Sequence, residues 1–212
     1  MQTISMTTPQ LRLILVDPDD RLCEAWREAF TGHHAVTIVT GRFQELAEFD
    51  CMVSAANSFG LMDGGVDLAV ARFFGEALVD RVQAHIRHEY FGEQPVGTSF
   101  IVETGNPEHP YVAHTPTMRI PMSIRTTDYV YLAMWAMLRA VHHHNRTTEL
   151  PPIRTVACPG LGTGAGEMPA VEAARQMEIA YRWYVNPVSR LDWPTAEGRQ
   201  AVIGRGGDLF AR

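Results

Sequence analysis

The chain has 212 residues, 46 % of them hydrophobic and 20 % charged, which fits one globular domain with an ordinary core and excludes a mainly disordered chain. Eighteen basic residues against 24 acidic ones give a net charge of −6. That balance lacks the basic stripe of a non-specific nucleic-acid binder, and no apolar run approaches the roughly 18 residues of a membrane span.

All of the basic residues are arginine, which removes a Schiff-base, Walker or nucleophilic lysine at once. An anionic ligand must then be held by backbone N–H groups, helix N-termini or arginine. Residues 1–9 have neither the basic start nor the apolar centre of a signal peptide. Cys23, Cys51 and Cys158 are odd in number and widely spaced, a pattern against a disulfide framework or a zinc ribbon. The expectation is a reduced, cytoplasmic protein without a metal or a resident cofactor.

The elements follow in chain order. Residues 11–16 read as a buried strand ending at Asp17-Pro18. A helix follows from Asp19 and Asp20, with Leu22, Ala25, Trp26, Ala29 and Phe30 on one face, and Gly32 ends it. Residues 36–39 form a second strand and 46–49 a short helical turn. Residues 51–56 form a third strand. A glycine-bearing loop leads into the longest expected helix, with an apolar stripe from Val66 to Ile86. Strands at 98–102 and 111–114 flank a Thr-Gly-Asn-Pro turn. A helix over 127–143, a strand over 153–158, a second glycine loop and a last helix over 170–184 complete the pattern. Alternating strands and helices predict a three-layer α/β/α domain. Two strands without a crossover between them make the central sheet mixed. We expect one domain over 1–185 with a strand-helix addition at its N-terminus, and an extended arm over 186–212.

Chemistry concentrates in two strand-to-helix loops, where α/β sheets place ligands. In the first, Asn57-Ser58-Phe59-Gly60-Leu61-Met62-Asp63-Gly64-Gly65-Val66-Asp67, the paired glycines let backbone N–H groups approach an anion at a helix N-terminus. In the second, Pro159-Gly160-Leu161-Gly162-Thr163-Gly164-Ala165-Gly166, four glycines in seven residues leave many free N–H groups, a nest for a diphosphate. Either loop alone reads equally as a tight turn or a flexible helix entry. Two of them on one sheet favour a diphosphate ligand.

At this point the sequence resembles a macro domain, over residues 36–184. Val53-Ser54-Ala55-Ala56-Asn57-Ser58 resembles the family's V-N-A-A-N-S. Asp63-Gly64-Gly65-Val66-Asp67 resembles its G-G-G-V-D, and Tyr111-Val112-Ala113-His114-Thr115 its strand Y-V-I-H-T. The second loop resembles P-x-x-S-T-G-x-x-x-x-P. The resemblance implies a cleft for ADP-ribose or a related nucleotide at the crest of the sheet. It implies that Asn57 hydrogen-bonds the distal ribose, that Gly64, Gly65 and Val66 meet one phosphate, and that residues 160–166 cover the diphosphate. In the hydrolytic branch the resemblance makes Asn57 and Asp67 the catalytic residues, with Asp67 orienting or activating water at the anomeric carbon, and the protein an ADP-ribosyl hydrolase acting on an ADP-ribosylated macromolecule or small derivative. The alternative is a non-catalytic nucleotide-binding module. Lying in the first turn of a helix, Asp67 is expected to stay ionised at neutral pH.

Two departures from the family pattern bear on the ligand. Gly41-Arg42-Phe43-Gln44 stands where the family has G-D-I-T, and arginine has no acceptor for an adenine amino group. Arg42 or Phe43 could stack on a base instead. Gly166 stands near the place of the family's usual aromatic. Other features read as structure. The consecutive His142, His143 and His144 point apart on a helix. His114 reads as a buried, hydrogen-bonded core residue, and Cys158 as packing.

Overall fold

The computed structural model describes residues 11–204; the readings made on residues 1–10 and 205–212 lie outside them. The chain runs β1 (Arg12–Asp17), α1 (Asp20–Ala29), β2 (Val36–Thr40), β3 (Cys51–Asn57), α2 (Gly65–Phe74), α3 (Glu76–Glu89) and β4 (Phe100–Glu103). It continues through β5 (Tyr111–Met118), α4 (Tyr129–Thr147), β6 (Thr155–Cys158), α5 (Ala170–Val185) and α6 (Trp193–Ile203).

Six strands form one sheet in the order β2-β1-β6-β3-β5-β4. Every pairing is parallel except β4 with β5. That hairpin is the pair lacking a crossover helix, so the sheet is mixed as expected. Successive side chains of a strand face opposite ways, and each strand accordingly feeds two cores. Leu13, Leu15, Cys51, Val53, Val156 and Cys158 pack with α1, α4 and α5. Ile14, Val16, Met52, Val112 and Ala157 pack with α2 and α3. The outcome is an α/β/α sandwich whose central strands are apolar on both faces, as buried parallel strands must be.

Three sequence expectations on local structure are corrected. The helical turn expected at 46–49 lies earlier, as a 3₁₀ turn at Phe43–Glu45. The single helix expected from Val66 to Ile86 is broken at Gly75, whose φ of 87° and ψ of 168° end α2 and start α3. Apolar periodicity runs through the break because both segments face the same sheet. That backbone region is open essentially to glycine alone. Gly75→Ala should therefore cost about 1–3 kcal/mol, a loss of several degrees in melting temperature that differential scanning calorimetry would register.

The third correction concerns the tail. Where an extended arm was expected, residues 193–203 are helical. Asp192 caps α6 by accepting from the Thr195 N–H at 3.0 Å, and Pro194 sits in the first turn, where a missing N–H costs nothing. Arg175 donates to the Val202 and Ile203 carbonyls at 2.8 and 2.9 Å, and the Arg199 guanidinium lies 4.6 Å from the Trp183 ring centroid. None of the residues of α6 is buried, so the helix has no apolar stripe for a sequence reading to find.

Candidate functional site

Parallel strands end together at the same rim of the sheet, and both glycine loops leave from that rim after β3 and β6. They border one open cleft of about 660 Å³. The ends of β1 and β2 add Asp17, Asp19, Gly41 and Arg42 to its wall, and β5 adds Thr117 and Met118. Of the residues singled out in the sequence, Arg42, Phe43, Asn57, Gly64, Gly65, Val66, Asp67, Gly160, Gly162, Thr163, Gly164 and Ala165 all line this cleft. Leu161 is fully buried and belongs to the core beneath the loop. Gly166 lies under the same loop and is absent from the cleft wall.

The second loop is tied down from below. The Gly160 N–H donates to Asp17 Oδ2 at 3.2 Å, while the Asp19 N–H donates to Asp17 Oδ1 at 2.9 Å. The carboxylate ending β1 thus joins the loop after β6 to the start of α1. A Cβ added at Gly166 would lie 2.4 Å from the Gly162 carbonyl oxygen, 2.9 Å from Ile124 and 3.0 Å from Met118. The position has no room for any side chain, still less for the family's aromatic. Gly64 and Gly164 differ, since nothing lies within 4 Å of a Cβ built on either.

Asp67 departs most from the expectation. It lies in the first turn of α2 but is only 5 % exposed, and it accepts a hydrogen bond from the Ser54 hydroxyl of β3. Burial, reinforced by nearby Asp63 and only partly offset by Ser54, pushes its carboxyl up to about 7. The helix dipole contributes about 0.3–1 kcal/mol. A rise of this size corresponds to about 4 kcal/mol against ionisation, so desolvation wins and the expected fully ionised Asp67 is corrected. Ser54 was missed in the sequence, where a lone polar residue inside a buried strand was its signal.

Asn57 also differs. Its side-chain oxygen accepts from the Phe59 and Leu61 N–H groups at 3.0 and 3.3 Å, and its amide donates to the Leu61 carbonyl at 2.8 Å. These bonds close the Asn57 side chain onto its own loop, an arrangement that asparagine commonly adopts in turns. Ribose contact by Asn57 requires that some of them exchange.

Phe43 is 5 % exposed and meets Phe49 and Phe73 edge-on. Its ring is core that closes the cleft floor, rather than a free stacking surface. Arg42 is exposed. His114 is fully buried, with Nδ1 2.6 Å from Gln94 Oε1, and burial lowers its pKa to about 3. His144 is buried against Tyr111 with Nε2 3.2 Å from the Pro151 carbonyl oxygen, whereas His142 faces Tyr184. Cys158 is buried, which pushes its thiol up and keeps it an inert packing group.

The arrangement matches known proteins. The family model described as Macro domain matches residues 53–177. A protein of Aquifex aeolicus is 32 % identical over 144 residues, covering 67 % of this chain and 78 % of its own. The macrodomain of Mycobacterium tuberculosis DarG superposes with a TM-score of 0.56 at 21 % identity, over 68 % of this chain and 88 % of that one. A variant of the Oceanobacillus iheyensis macrodomain solved with ADPR gives 0.53 at 22 % identity, over 66 % and 73 %. These two structures share the fold, and the family model and the Aquifex relative extend the likeness to sequence. The chain belongs to the macro-domain family.

Proposed function

We propose that the cleft binds ADP-ribose or a related nucleotide diphosphate and that the protein hydrolyses an ADP-ribosyl linkage there. The observation that carries this reading is the meeting of two glycine loops over one cleft with a near-neutral carboxyl, Asp67, in its wall. Backbone N–H groups at the start of α2 and along residues 161–165 suit a diphosphate in a chain without lysine. The macrodomain of Oceanobacillus iheyensis solved with ADPR lends support through the shared fold.

In this reading Asp67 takes a proton from water as the water oxygen bonds to the anomeric carbon. The bond from that carbon to the acceptor breaks, and the acceptor takes up a proton from solvent. A general base works best with a pKa near the working pH, and burial supplies that at Asp67.

Titration calorimetry with ADP-ribose, ADP, GDP-ribose and NAD tests the binding. We expect at least one of them to bind, with Asn57→Ala weakening both affinity and turnover because the 57–61 loop loses its closure. Lack of binding by all four at millimolar concentration rejects the reading. Turnover of a panel of mono-ADP-ribosylated acceptors tests hydrolysis. The internal bonding of Asn57 favours a second reading, binding without turnover, which is the outcome if affinity is found and the whole panel stays intact.

A further inference from the structure

Arg42 is the cationic side chain that the proposed function leaves unused. The described side chains lining the cleft include four carboxylates, Asp17, Asp19, Asp63 and Asp67, and a single cation, Arg42. Among the described residues nothing forms a hydrogen bond or an ion pair with its guanidinium.

Its place in the fold says which part of a ligand it meets. Asp67 and the Gly64-Gly65 pair stand at the end of β3, and the second loop stands at the end of β6. Arg42 follows β2, three strand positions from β3 in the sheet order. At about 4.8 Å per strand this is ~14 Å away. If the diphosphate lies between the two glycine loops and the reacting ribose lies at Asp67, the other end of the ligand reaches Arg42. For a nucleoside diphosphate sugar that end is the base.

We propose that Arg42 makes the cleft prefer guanine over adenine, an inference that rests on the nucleotide reading above. A guanidinium fork donates two parallel bonds to the adjacent O6 and N7 of guanine. Adenine offers N7 beside an amino group, so the fork gains one bond and faces a second donor. The flanking carboxylates complete the complement. Both oxygens of Asp17 already accept a backbone N–H, but each retains a further lone pair for a guanine N–H.

Calorimetry with GDP-ribose and ADP-ribose on the wild type, Arg42→Ala and Arg42→Lys tests this. The expected result is a preference for GDP-ribose of about tenfold or more in the wild type. Arg42→Ala should abolish it, and Arg42→Lys should lose most of it, because lysine keeps the charge without the fork. The side chain is exposed, so melting temperatures should match the wild type. Equal affinities, a preference for ADP-ribose, or a guanine preference that survives in Arg42→Ala overturns the assignment and leaves the nucleotide reading standing. If neither ligand binds the wild type, the nucleotide reading falls and this inference with it.

Discussion

Asp67→Asn should lower turnover by about 10²–10⁴-fold and at the same time make the protein harder to unfold above neutral pH. Both effects have one cause. Asp67 is buried, and its carboxyl is raised from an ordinary 3.8 to about 7. Between those values the folded state binds a proton that the unfolded state has released. Stability tied to this group is therefore fully present below pH 4, falls as the pH rises to about 7, and is lost above it. Asparagine keeps the size of the side chain and an acceptor for the Ser54 hydroxyl, but it never ionises. The variant should match the wild type near pH 4 and exceed it above pH 7, by at most about 4 kcal/mol.

Thermal melts from pH 4 to 8 measure the crossover, and turnover of the best acceptor measures the catalytic loss. Turnover by the wild type should rise with pH through a midpoint near 7. Ser54→Ala removes the hydrogen bond that favours the charged form, so the midpoint of that profile should move upward. Unchanged turnover in Asp67→Asn would make the residue a helix-start carboxyl without a catalytic part. A stability gain that did not depend on pH would show that the carboxyl is not raised.

Gly166→Ala should damage both the fold and the cleft, whereas Gly164→Ala, two residues away, should leave stability unchanged. The methyl group at 166 would meet the Gly162 carbonyl oxygen at 2.4 Å, with Ile124 and Met118 close on its other sides. That oxygen is already held by the Met168 N–H at 3.0 Å, and the Gly166 carbonyl accepts from the Ile124 N–H at 2.8 Å. The clash is with backbone that cannot rotate away, so the loop itself must move. Overpacking of this kind costs about 1–3 kcal/mol, or roughly 2–4 °C of melting temperature per kcal/mol in a domain of this size. On the proposed function, displacing residues 161–165 also turns their N–H groups away from the diphosphate, so affinity should fall by about tenfold or more, the scale of one lost charge-assisted bond. If Gly166→Ala melted and bound like the wild type, the second loop would be adaptable rather than rigid.

Much of this architecture was legible in the chain. The strands β1, β3 and β6 announce themselves as apolar runs closed by Asp17, Asn57 and Pro159. The glycines of both loops mark where backbone must approach a ligand or other backbone. These are local signals, because period and turn chemistry depend on neighbours a few residues away. The break at Gly75 escaped, since the apolar stripe continues across it. Helix α6 escaped because Arg175 and Arg199 hold it with polar contacts and no apolar face. The state of Asp67 lay furthest from reach. Sequence places it in the first turn of a helix, where local electrostatics favours charge. Only the packing of α2 on β3 brings Ser54 against it and removes the water around it. Desolvation depends on residues distant in the chain and outweighs the helix dipole several-fold. The sequence by itself therefore determined the strands, the loops and the identity of the candidate residues, while the tertiary structure alone decided whether the carboxyl of Asp67 carries its charge.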